Sequence, residues 1–192
     1  MEPIRTLDEL VVRARALGPR VVAVPAAESE TALAAVVEAR RRGIARGLLL
    51  GDREGIVDRL WKLEEDPSHH EIVHEPDDRR AAAIAVERVR AGEASLLLKG
   101  RLPTGDLLRA VLDRDHGLRT GRILSDVMVS EHPSSPPRRI VGITDGGVNV
   151  APRLAEKQAI LENAVRVFHR LGFAKPVVAL SLIHISEPTR PY

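Results

Sequence analysis

Short apolar runs recur along this chain, each followed by a turn and then by a stretch with the spacing of an amphipathic helix. Arg20-Val-Val-Ala-Val-Pro25, Leu48-Leu49-Leu50 and Ser95-Leu-Leu-Leu98 are apolar at consecutive positions, so strands built from them are covered on both faces. Between them lie Ser29 to Arg42, with Leu33, Val36, Val37 and Arg40 on one face, a helix through Ile56, Val57 and Leu60, and an alanine-rich helix from Asp77 to Ala91. Thr6 to Leu17 forms a helix before the first strand, with Thr6 placed to cap it; Gly18, Gly43 and Gly92 mark helix ends. Strands alternating with helices predict an α/β fold, three-layer αβα, with a mostly parallel sheet.

The second half departs from strict alternation. Glu71 to His74 reads as a short strand and Thr104 to Leu112 as a helix. Ile123 to Val129 and Arg139 to Ile143 read as consecutive strands joined by the turn-rich Glu131-His-Pro-Ser-Ser-Pro-Pro137, an antiparallel excursion. Arg153 to Leu171 carries Leu154, Leu161, Val165 and Phe168 on one side and ends at Gly172, with a last strand expected from Lys175. Residues 180–192 resemble the conceptual translation of a transposon-type sequencing adapter. The organisation expected is therefore a native part over 1–179 that is incomplete, and a non-native tail over 180–192.

Composition removes several function classes. The chain has 192 residues, 44% apolar but only 2% aromatic, so its core is built from Ala, Val, Leu and Ile. It has no cysteine, which excludes disulfides, thiolate metal sites and a cysteine nucleophile. No run reaches the roughly 18 apolar residues of a membrane span, and no signal peptide precedes the first helix, so a cytoplasmic protein without a membrane partner is expected. Twenty-nine basic residues face 27 acidic ones, and 25 of the basic residues are Arg, dispersed among Asp and Glu. With stacking aromatics so scarce, no nucleic-acid partner is expected. The densest run, Arg40-Arg41-Arg42, suits a solvated helix C-terminus. His69, His70 and His74 fall in a polar segment and read as a solvated cluster, with no metal site.

In a parallel sheet, ligands bind at the C-terminal ends of the strands, where loops enter helices. Three junctions of that kind carry polar groups. At Leu96-Leu-Leu-Lys99-Gly100-Arg-Leu-Pro-Thr104-Gly-Asp106-Leu-Leu-Arg109 a strand delivers Lys99 and Gly100, Thr104 is placed to cap a helix, and Arg109 lies about one turn inside it. A Lys, an Arg and a helix N-terminus suit a phosphorylated ligand; simple capping with a solvated Lys99 is the alternative. At Ile143-Thr144-Asp145-Gly146-Gly147-Val-Asn149-Val-Ala-Pro152, Asp145 and Asn149 either orient a ligand or close turns around the glycines. Val24-Pro25-Ala-Ala-Glu28-Ser-Glu30 is an acidic helix start that also suits the helix dipole.

At these junctions the chain resembles the phosphate acetyltransferase/phosphate butyryltransferase family. The segments that carry the resemblance are Val22-Ala-Val-Pro-Ala-Ala-Glu-Ser-Glu30, Gly43 to Asp52, Leu97-Leu-Lys-Gly-Arg-Leu-Pro-Thr-Gly-Asp-Leu-Leu-Arg-Ala-Val-Leu112, Gly117-Leu-Arg-Thr-Gly121, Ile143 to Pro152 and Glu156 to Val165. The Lys-Gly at 99–100 and the short connection at 131–137 resemble the butyryl branch more than the acetyl branch. The resemblance implies a fold like isocitrate/isopropylmalate dehydrogenase, with two domains, a cleft and homo-oligomers. It implies transfer of a short acyl group, butyryl or acetyl, between coenzyme A and inorganic phosphate. Coenzyme A is a substrate in that scheme, and no cofactor is held tightly.

By the same resemblance Arg109 takes the family's phosphate- or CoA-binding arginine, Thr104 and Asp106 the polar pair before it, and Lys99, with Gly100, the lysine motif of the branch. Asp145 and Asn149 take the cleft-facing Asp and Asn. The family's catalytic Ser, Arg and Asp are expected in a C-terminal part beyond this chain, so the catalytic residues are unknown here and the chain alone is expected to be inactive. Gly105 and Gly146-Gly147 stand where the family more often has alanine. The rival readings are a non-catalytic domain that senses acyl phosphate or coenzyme A, and a decarboxylating dehydrogenase of the same fold.

Overall fold

A computed structural model of the chain describes residues 2–132 and 139–180. The expected connection over 131–137 lies mostly outside the described residues, as does nearly all of the tail expected over 180–192. The chain divides into two compact units, residues 10–122 and residues 1–9 with 123–192. Along it run α1 (Leu7–Ala16), β1 (Arg20–Pro25), α2 (Glu30–Arg41), β2 (Ala45–Gly51), α3 (Arg53–Lys62), β3 (Glu71–His74), α4 (Asp78–Arg90), β4 (Leu96–Leu97), α5 (Thr104–Val111), β5 (Met128–Glu131), β6 (Ile140–Ile143) and α6 (Leu154–Arg170).

The larger unit is built on a four-stranded sheet in the order β3-β2-β1-β4. All three of its pairings are parallel. β1 and β2 are its centre, and their alternation shows why both strands are apolar over Val21–Pro25 and Leu48–Leu50. Val22, Val24 and Leu49 face one side and pack with Leu33, Val36 and Val37 of α2 and Ile56 and Leu60 of α3. Ala23, Leu48 and Leu50 face the other side and meet Ala81 and Ala85 of α4. Small residues on α4 let that helix lie close to the sheet. The unit is thus a helix–sheet–helix sandwich, as the sequence pattern predicts.

Local chemistry sets the element boundaries. Ser29, Asp52 and Asp77 cap α2, α3 and α4, each accepting from a backbone N–H in the first turn. Gly43 and Gly92 take φ of 72° and 79° just past α2 and α4, as stops expected from the sequence. The strand expected over Ser95 to Leu98 shrinks to Leu96–Leu97 at the sheet edge, and it is not covered on both faces as expected, since Leu96 is 55% exposed.

The smaller unit holds the antiparallel pair, with Met128 opposite Ile143 and Glu131 opposite Ile140. The first of these strands forms later than expected: residues 123–127 stay outside it, and β5 begins at Met128. Phe168 of α6 lies over Gly142 of β6, where a Cβ would come within 2.5 Å of the ring. No strand forms over Lys175 to Leu180.

Two readings of the charged residues change. Arg40 is not a solvated helix end: its Nη2 donates to Glu65 Oε2 at 2.9 Å, and Glu65 is buried. Burial opposes ionisation of that carboxyl, but the hydrogen bonds from Arg40 and His69 and the charge of Arg40 hold its pKa below the ordinary value. His70 is not solvated either. Its Nδ1 accepts from Gly47 N at 3.0 Å, which leaves Nε2 to donate to Glu65 Oε1 at 3.2 Å. The imidazole thereby stands in for a strand partner just before β3. Gly47 makes this possible, since a Cβ there would lie 2.9 Å from His70 Nδ1.

Burial pushes the His70 pKa down despite the Glu65 charge. A protonated ring could not accept from Gly47, so the folded chain favours the neutral form. The unfolded chain takes up the proton first, near its ordinary pKa of about 6.5. His70 therefore contributes full stability above that pH and loses it as pH falls below. Melting temperature is expected to drop as pH falls from about 6.5, and His70→Asn should flatten that slope while lowering stability at neutral pH. An unchanged slope in the variant would contradict the assignment.

Candidate functional site

The loop that leaves β4 is fixed by backbone contact with the loop that leaves β1. Leu98 N donates to Ala23 O and Arg101 N to Ala26 O, at 2.9 and 2.8 Å. Between them Gly100 is buried so closely that a Cβ would sit 2.2 Å from Ala26 O and 2.3 Å from Pro25 O. No rotamer change relieves such a contact, because both neighbours are main chain. Gly100 is thus accounted for by joining the two loops. Lys99 turns onto the same loop, where Nζ donates to Gly100 O and Leu102 O, each at 3.2 Å.

That junction starts α5 at the C-terminal edge of the sheet. Leu102 and Leu107 are buried with Ala26 and Ala82, which fixes α5 on α4. Thr104 does not cap α5, contrary to expectation. It is the first helical residue, Pro103 occupies the cap position, and among the described residues no side chain caps the first turn. The helix therefore begins with a positive dipole end that carries no side-chain acceptor from a cap.

Asp106 engages cations rather than facing outward as a ligand group. Arg109 Nη1 pairs with Asp106 Oδ1, and Arg79 Nε lies 3.4 Å from the same oxygen. The carboxylate is mostly covered, while the Arg109 and Arg79 side chains are 70% and 75% exposed. Close by, Arg101 Nη2 pairs with Asp78 at 3.0 Å and Arg80 Nε with Glu75 at 3.1 Å. Sequence reasoning identified Arg109 and Asp106 but missed Arg79. Its signal was weak: one Arg of a pair at a helix start, in a chain rich in Arg.

Glu28, from the acidic start after β1, does not serve the dipole of its own helix. Its Oε1 accepts from Asp52 N at 2.7 Å, tying the loop after β1 to the start of α3, and its Oε2 is buried without a hydrogen-bond partner among the described residues.

Asp145 and Asn149 belong to the smaller unit. Asp145 Oδ1 accepts from Val148 N at 3.1 Å and more weakly from Gly147 N at 3.4 Å. Its Oδ2 accepts from Asn149 N at 2.9 Å and from Asn149 Nδ2. Those four donors match the roughly four acceptor positions of a carboxylate. Asn149 Nδ2 also donates to Leu124 O at 2.9 Å. Burial opposes its charge, yet the hydrogen bonds from Asn149, Val148 and Gly147 keep the Asp145 carboxyl far below the usual range. Asp126, which sequence reasoning missed, supports the turn by accepting from Gly146 N at 2.7 Å. Of the seven residues expected to bind substrate, Lys99, Gly100, Thr104, Asp106 and Arg109 share one junction, and Asp145 and Asn149 share another. Among the described residues no three of His, Asp and Glu gather closely enough to hold a metal ion.

The family model described as phosphate acetyl/butaryl transferase matches residues 53–187. Phosphate butyryltransferase of Clostridium acetobutylicum is 36% identical over 189 residues, 98% of this chain and 62% of the relative. Phosphate acetyltransferase of Thermotoga maritima is 35% identical over 186 residues, 96% of this chain and 62% of the relative. The chain thus spans about three-fifths of the length of the curated relatives it matches. A branched-chain phosphotransacylase from Enterococcus faecalis V583 superposes with a TM-score of 0.68 at 28% identity, covering 80% of this chain and 52% of that one. A phosphotransacetylase from Streptococcus pyogenes, at 16% identity and a TM-score of 0.66, shares the fold over 85% of this chain and 60% of its own.

The two glycines of this junction are expected to respond in opposite ways to added bulk. Gly100→Ala should destabilise the chain by about 3 kcal/mol or more, through backbone clash. Gly105→Ala meets nothing within 4 Å inside α5 and should stabilise it by about 0.5–1 kcal/mol. Denaturant titration of the two variants measures both; a tolerated Gly100→Ala would contradict the loop-joining role.

Proposed function

Since this chain belongs to the phosphate acetyl/butaryl transferase family, we propose that it serves acyl transfer between coenzyme A and inorganic phosphate. The observation that carries this reading is Arg109, tied to Asp106 on a helix whose first turn has no side-chain cap, at the C-terminal edge of a parallel sheet. A guanidinium and a helix N-terminus both attract phosphate, and Arg can hold two of its oxygens at once. In the proposed reaction the coenzyme A thiolate sulfur bonds to the acyl-phosphate carbonyl carbon. The C–O bond to phosphate then breaks, and phosphate leaves with that electron pair. In the reverse direction a phosphate oxygen bonds to the acyl-CoA carbonyl carbon, the C–S bond breaks, and the coenzyme A thiolate leaves with that electron pair.

The acyl group is butyryl or acetyl in this proposal. Lys99, bonded to its own loop, keeps that loop in shape for the substrate, and Asp145 with Asn149 does the same for the loop after β6. Both substrates are soluble metabolites of the cell interior, which favours a cytoplasmic enzyme, and no described helix is long and apolar enough to cross a membrane. Homo-oligomeric assembly is part of the same proposal. Neither of the rival readings, a sensor domain or a decarboxylating dehydrogenase, has an observation in its favour.

Titration of the chain with coenzyme A and with inorganic phosphate tests the proposal. Saturable binding of both is expected, and Arg109→Ala should weaken it by about 2 kcal/mol through loss of a charge-assisted contact. Affinities left unchanged by that substitution would count against the role of Arg109.

A further inference from the structure

Resting on the acyl-transfer reading above, we propose that Arg79 is a second phosphate-binding arginine, paired with Arg109 through Asp106. The ligand class is a terminal phosphate, supplied either as inorganic phosphate or as the 3′-phosphate of coenzyme A.

Three observations converge on this pair. Both guanidiniums lie against the same carboxylate oxygen, Asp106 Oδ1, although one stands on α4 and the other on α5. Two like charges repel when brought together in water, and the shared carboxylate offsets that repulsion. Secondly, the burial is asymmetric. Asp106 is 18% exposed, tucked beneath arginines that are each 70% exposed or more. An approaching anion therefore meets guanidinium N–H groups first and the carboxylate last. Arg109 engages Asp106 through Nη1 and Arg79 through Nε, so each keeps further donors for a ligand.

Thirdly, the sharing is particular to this carboxylate. Arg101 with Asp78 and Arg80 with Glu75 are one-to-one pairs at this edge, whereas Asp106 faces two cations, and the nearby Asp77 carboxylate, occupied with capping α4, offsets part of the charge of Arg79. Packing fixes the spacing of the pair: Ala82 follows Arg79 by about one turn, Leu107 follows Asp106 directly, and both are buried in one cluster. Arg79 is thus held to the site by α4 without itself belonging to the Lys99–Arg109 junction.

The test is equilibrium titration of the 192-residue chain at low ionic strength with inorganic phosphate, coenzyme A and dephospho-coenzyme A. Arg79→Ala is expected to weaken phosphate and coenzyme A binding by about tenfold, while Arg101→Ala changes neither by more than about twofold. Arg79→Lys should restore part of the loss, since it keeps the charge but not the planar fork. If coenzyme A loses its advantage over dephospho-coenzyme A in Arg79→Ala, the group held is the 3′-phosphate; if that advantage persists while phosphate binding falls, it is inorganic phosphate. Asp106→Asn makes the site more positive but lets the pair splay, so weaker binding supports the shared carboxylate and tighter binding overturns it. Unchanged binding in Arg79→Ala overturns the pair alone. No binding of any of the three ligands by the unaltered chain overturns the pair and the proposed function together.

Discussion

The candidate site depends on a contact between main chains. Two parallel strands, β1 and β4, end side by side, and their exit loops touch at Gly100, against the carbonyls of Pro25 and Ala26. That contact fixes where the chain turns before α5, and so where Asp106 and Arg109 stand relative to α4. The cost of the close approach is carried by the sheet, whose central strands are buried on both faces. A less rigid support would let the loops part, and the two arginines with them.

Charge is handled differently at the two ends of the sheet. Near the start of β2, Glu65 is buried under Arg40, His69 and His70, and its carboxylate is neutralised by groups that leave it little room for a ligand. At the opposite, C-terminal edge, Asp106 is covered but its arginines are not. The first arrangement holds structure together and ties stability to the protonation of His70. The second leaves positive charge facing water, where a phosphate can reach it. Asp145 resembles the first kind: its oxygens are filled by donors from its own loop.

Much of this was legible in the sequence because it follows from periodicity and stop signals. Consecutive apolar residues at Val21 to Val24 and Leu48 to Leu50 announce strands covered on both faces, and β1 forms over the predicted residues. Family membership was legible too, from motifs lying at the loops. Tertiary partners were not. No local pattern says that His70 will replace a strand neighbour of Gly47, or that Arg40 will reach a buried Glu65. Arg79 was hidden because its partner is distant in sequence and its type is common in this chain. Thr104 misled because a hydroxyl near a helix start reads as a cap, whereas the preceding Pro103 takes that position. The acyl chain was not legible either, since identity to a butyryltransferase and to an acetyltransferase is nearly equal, 36% and 35%.

The most direct test of the central claim, that phosphate binds at the N-terminal end of α5, is a backbone amide NMR titration with coenzyme A. The account expects the largest shifts at Thr104 to Arg109 and at Arg79, with the amides around Glu65 and His70 at the other end of the sheet unmoved. Saturable shifts that leave α5 and Arg79 untouched would contradict it.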